Sequence, residues 1–168
     1  MTKHEKDLIK AFALKQIGKD DFFAEYPVDL NIDKVYALKT LEGAYESKNS
    51  EDIEYGLLLG FLLNLFSSDY IDVLCKLILE KWHYKHEDIA LILQELKNPK
   101  SIDCLYQAAL MKFDYLSYDD SYALARKCIH ALGDINTEYS REKLRLLASS
   151  DIPIIKEKAE KQLHYYPQ

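Results

Sequence analysis

Glycine and proline are scarce, at five and four in 168 residues. A turn-rich β-sandwich of this length needs turn residues roughly every ten positions, so that class is excluded. Cysteine is sparse and odd in number, and Cys75, Cys104 and Cys128 lie far apart inside apolar patterns. They read as three buried, unbridged thiols in a reducing compartment, not as a disulfide framework. Long apolar runs are missing too. The longest, "YGLLLGFLLNLF", has 12 residues, short of the roughly 18–20 a membrane helix needs. The first residues, "MTKHEKDLIKAF", hold no apolar signal core, which leads us to expect a cytoplasmic location with no membrane association. No Gly-rich phosphate loop, nucleophile elbow or zinc-protease motif occurs, so no standard catalytic apparatus is indicated and no cofactor is expected.

What is present is charge and tyrosine. The formal net charge is −6. Residues 141–168 hold six Lys/Arg and four Asp/Glu, a balance of +2, which leaves −8 on residues 1–140. An acidic body argues against direct nucleic-acid binding, because neutralising phosphates needs a basic surface. It suits a basic protein partner. Thirteen tyrosines accompany it.

Helical periodicity runs from end to end. Thr2 and Glu5 have capping-box spacing ahead of the stripe Leu8, Ile9, Phe12 and Ile17, with Gly18 as a stop. The stretch "DDFFAEYP" reads as a short turn closed by Pro27. Helices are expected near 33–47, 50–66, 69–82, 86–97, 99–112, 119–132, 137–149 and 151–165. The helix at 50–66, capped at Asn49 or Ser50, is apolar nearly all round and should be among the most buried.

The chain also repeats itself. "LILQELKNPKSIDCLYQAALM" and "IHALGDINTEYSREKLRLLAS" superimpose at an offset of 39, placing Leu93, Leu96, Ser101, Leu105 and Ala109 on Leu132, Ile135, Ser140, Leu144 and Ala148. A nine-residue step across each turn recurs from Leu65 to Leu74, Leu96 to Leu105 and Ile135 to Leu144. This recurrence resembles HEAT-type helical repeats, which run to about 40 residues. The resemblance implies an all-α fold, a short HEAT-like α-solenoid of antiparallel helix pairs. We expect one domain over 1–168, with N-terminal helices in 1–32 and about four pairs in 33–165. The last pair keeps a polar outer face (Lys156, Glu157, Lys158, Glu160, Lys161), as a terminal repeat should.

Stacked pairs bring the within-pair turns onto one rim. That rim gathers "EKWHYKHED" and "FDYLSYDDSY". The candidate partner-binding residues are Trp82, Tyr84, Glu87, Asp88, Asp114, Tyr115, Tyr118, Asp119, Asp120 and Tyr122. Aromatic side chains among carboxylates are what an interface for a basic protein needs. The competing reading is structural: the aromatics plug the gap between pairs and the Asp residues cap the next helix. For the cluster as a whole, binding is favoured.

His83 and His86 raise a metal site, but the segment reads as a turn and no third ligand has familiar spacing, so no metal is expected. Asp119 and Asp120 are adjacent, so on a helix their carboxylates diverge by about 100° and cannot act as a catalytic pair. No catalytic constellation remains, and the chain does not read as an enzyme.

Size, charge, tyrosine content and architecture together resemble bacterial immunity proteins of polymorphic-toxin and contact-dependent growth inhibition systems. That resemblance implies neutralisation of a cognate basic, nuclease-type toxin C-terminal domain by covering its active or substrate-binding surface. A general HEAT-repeat adaptor is the alternative. A helical-repeat DNA glycosylase is a remote one, since it would need a basic concave face and a catalytic carboxylate.

Overall fold

The computed structural model describes residues 1–30, 33, 35–113, 115 and 122–165. The described residues form α-helices and two short 3-10 turns, with no strand. They divide into two compact units, Met1–Asp69 and Tyr70–Gln168.

The first unit holds α1 (Lys3–Ala13), α2 (Lys19–Glu25), α3 (Tyr36–Ser47) and α4 (Ser50–Leu63). The Thr2–Glu5 capping box is formed: the Glu5 N–H donates to Thr2 and the Thr2 N–H to the Glu5 carboxylate. Glu5 is itself buried, and the Tyr36 hydroxyl donates to its second oxygen. Burial pushes that carboxyl up, but the hydrogen bonds from Tyr36 and Thr2 outweigh it and hold Glu5 below its ordinary range.

"DDFFAEYP" is not the turn its sequence suggested. It carries α2, with Gly18 at its N-cap and the Asp21 carboxylate accepting from the Gly18 N–H at 3.4 Å. Packing explains the helix. Phe22 is fully buried, stacked on Phe12 at 4.6 Å and tilted against Tyr26 at 5.0 Å, and such burial outweighs weak local propensity. α4 starts at the expected Asn49 cap, whose side chain accepts from the Asp52 N–H. It is buried on one side only, along Ile53, Leu57 and Leu59, while Phe61 stays 39% exposed.

The second unit is built of three helix pairs: α5 (Ile71–Leu77) with α6 (His86–Leu96), α7 (Ile102–Leu110) with α8 (Ala123–Ile135), and α9 (Glu138–Ala148) with α10 (Pro153–Tyr165). α6, α8 and α10 pack side by side as one layer, and α5, α7 and α9 form the other. α8 touches four helices and buries eight residues, from Leu124 to Ile135, so it is the centre of this unit.

Three of the five superimposed positions share a buried environment. Leu93 and Leu132 are both buried, as are Leu105 and Leu144. Ser101 and Ser140 are both fully buried, and each hydroxyl donates to the carbonyl three residues back, of Asn98 at 2.7 Å and Thr137 at 2.9 Å. The helices before the between-pair turns end on left-handed residues that are not glycine: Asn64 after α4, Lys97 after α6 and Asn136 after α8. A chain poor in glycine thus stops its helices on Asn and Lys, at a conformational cost glycine would avoid.

The cysteine expectation is corrected here. Cys75 on α5 and Cys104 on α7 form a disulfide, with Cα atoms 5.4 Å apart, and only Cys128 is a free, buried thiol. The two partners are 29 residues apart in sequence but face each other because α5 and α7 are neighbours in their layer. Burial pushes the Cys128 thiol well above its ordinary range, so it stays protonated.

Candidate functional site

Four of the candidate residues, Asp114, Tyr118, Asp119 and Asp120, lie outside the described residues. The other six belong to the second unit, and the structure brings most of them together at one end of its helix pairs.

α5 stops at Leu77, well before the expected position 82, and an irregular connection leads to α6 at His86. A helix end leaves unpaired carbonyls. Here two histidines take the carbonyl at α5's last residue and one in the connection beyond it. Nε2 of His83 lies 2.8 Å from the Leu77 carbonyl and Nε2 of His86 lies 2.6 Å from the Glu80 carbonyl. A carbonyl only accepts, so both Nε2 atoms carry hydrogen and donate. The Nδ1 atoms are then acceptors, from the Lys85 N–H at 3.1 Å for His83 and from the Tyr115 hydroxyl at 2.7 Å for His86. Every ring nitrogen is satisfied in the neutral form.

The rings are fully buried and stacked, with centroids 4.3 Å apart. Burial dominates their titration. It pushes His86 down to about 4 and lowers His83 as well, although the carbonyls beside them favour charge. Phe113, also buried, lies 3.9 Å from the His86 ring.

On this base sits an aromatic face. Tyr115 is half-buried, and its ring meets the edge of Tyr84 at 5.2 Å and 88°. Tyr84 itself is 68% exposed. Trp82 is half-buried, edge-on to His83 at 5.2 Å, with its indole N–H donating to the Glu80 carboxylate at 2.9 Å. Tyr84 and His86 therefore do meet Tyr115 and Phe113, as pair stacking required.

The carboxylates are engaged locally. Glu87 and Asp88 occupy the first turn of α6, where the helix dipole favours them. Glu87 pairs with Lys127 at 2.9 Å and Asp88 with Lys85 at 3.9 Å. Tyr122 is the N-cap of α8 in a left-handed conformation, so that helix begins at Ala123, not at 119, and its cap has no side-chain hydrogen bond. A bulky residue there is strained.

Among the described residues, no group of three or more His, Cys, Asp and Glu side chains could hold a metal ion. No described helix is long and apolar enough to cross a membrane. The histidine pair was visible in the sequence only as a candidate ligand set. Its role depends on backbone carbonyls, which leave no residue signature. Comparison with family models, with curated proteins and with solved structures finds no match.

Proposed function

We propose that the chain is a protein-binding module of the immunity type, which neutralises a basic, nuclease-type toxin domain through the face around Tyr84. The observation that carries this reading is Tyr84 itself: a large aromatic left mostly in solvent yet held edge-on by a neighbour that is hydrogen-bonded into the core. Holding an aromatic in place before binding lowers the entropy lost on association, and such residues dominate interface energetics. The chain's net charge of −6 supports a basic partner, since complementary charge speeds encounter.

Affinity capture with the wild-type chain and with Tyr84→Ala, compared by mass spectrometry, tests it. The proteins lost with the variant should be basic. In direct titration, affinity for them should fall roughly tenfold to thirtyfold, the loss of one anchor of about 1.5–2 kcal/mol. Equal capture by both proteins, or loss of acidic partners only, would overturn the proposal.

A further inference from the structure

We infer that His83 and His86 are positioning residues that form a proton-operated clasp, holding the Tyr84–Tyr115 face in its binding shape at neutral pH and releasing it on acidification. The regulatory part rests on the reading of that face as an interface; the clasp itself does not.

The hydrogen-bond pattern carries the inference. The Nδ1 atom of His83 faces the Lys85 N–H, a backbone donor that cannot turn round. A proton added to that nitrogen sets two donors against each other. The Nδ1 atom of His86 faces a hydroxyl that can rotate, yet the charge would then lie fully buried between the second imidazole and Phe113. Two imidazoliums cannot share a 4.3 Å stack in such a site, so acid cannot protonate both rings in place and the stacked pair comes apart.

Among the described residues, the charged groups around the pair are already engaged. Glu80 attracts His83, but its carboxylate already accepts from Trp82. Glu87 and Asp88 follow His86 on α6 and are paired with Lys127 and Lys85. From the described part of the segment after α7, the Tyr115 hydroxyl faces the His86 ring. When the pair comes apart, Tyr115 loses its hydrogen bond to His86 and the Tyr84–Tyr115 face is loosened, while the helices keep their own hydrogen bonds.

The single tryptophan in the chain, Trp82, touches His83 and serves as the reporter. Its emission should change on titrating the purified protein from about pH 8 to 4, with a midpoint below the ordinary histidine value of about 6.5. Helical circular dichroism should hold steady through that midpoint. The double variant His83→Gln/His86→Gln keeps an amide donor at each site and should show no such transition. Should it fail to fold, wild-type NMR decides instead: two of the five histidine signals should titrate only below the ordinary range. Flat emission, a transition coinciding with loss of helix, the same transition in the folded double variant, or the absence of two late-titrating histidines would each overturn the clasp.

With a captured basic partner, wild-type affinity should fall about tenfold once the pH drops below the emission midpoint, and the double variant's should barely change. If Tyr84→Ala binds like the wild type at neutral pH while the emission transition is present, the interface reading fails and the clasp stands. If Tyr84 matters but emission is flat, the clasp fails alone.

Discussion

Gly43 and Gly60 lie on consecutive helices of the first unit, and alanine should act oppositely at the two. A methyl group at Gly43 would meet nothing within 4 Å. That change keeps only the gain in helix propensity, roughly 1 kcal/mol of added stability. At Gly60 the new carbon would stand 2.4 Å from Cζ of Phe66, with Cε1 and Cε2 at 2.7 and 3.0 Å. Carbon atoms rest about 3.5–4.0 Å apart, so the ring must retreat by roughly 1 Å. Its retreat is opposed by the edge-on contact with Phe61 at 5.1 Å. Overpacking of this kind costs roughly 1–3 kcal/mol, from which the same propensity gain is subtracted. Gly60→Ala should then be neutral to destabilising by about 2 kcal/mol, and the two variants should differ by roughly 1–3 kcal/mol. Urea unfolding followed by helical circular dichroism measures the gap. Equal midpoints, or Gly60→Ala as the more stable of the two, would refute the close approach of Phe66 to α4.

Lys97 is exposed and left-handed at the end of α6, with φ of 47°. Lys97→Gly should raise stability by roughly 0.5–1 kcal/mol, and an unchanged unfolding midpoint would count against that conformation. In urea without reductant, thiol titration should find one reactive cysteine, Cys128, and three after reduction; three from the outset would exclude the Cys75–Cys104 bond. Stability should also fall with acid. His86 has a folded value of about 4, below its unfolded value of about 6.5, so the unfolded chain binds the proton first. Its contribution is complete above about pH 6.5 and is lost as the pH falls towards 4. Urea midpoints at several pH values check the sign, and a stability that is flat from pH 6.5 to 4 would contradict it.

Much of the fold was legible because its signals are local. Thr2 with Glu5 and Asn49 each mark a helix start through their own side chains, and both appear as caps. The spacing Leu93 to Leu132 and Ser101 to Ser140 reports a repeated burial environment. α2 was not legible, because its reason for being helical is the stacking of Phe22 on Phe12, a tertiary contact. The Cys75–Cys104 bond escaped for the same reason, since helix neighbourhood rather than spacing decides it. At the site, the meeting of Tyr84 and His86 with Tyr115 and Phe113 followed from pair stacking. The acidic character expected for that rim did not carry over to Glu87 and Asp88, whose charges are matched by Lys127 and Lys85.

The Cys75–Cys104 bond closes a covalent ring around the residues between them. All of α6 lies inside that ring, and so do Trp82, Tyr84 and both clasp histidines. A ring of this size restricts the unfolded chain by roughly 3–4 kcal/mol on the chain-entropy model. It also changes what a protease can do. A single cut in the exposed stretch around Tyr84 leaves both new ends tethered through the sulfur bridge, so the nicked chain runs as one species until it is reduced. The connection between α5 and α6 can therefore be severed without the polypeptide coming apart.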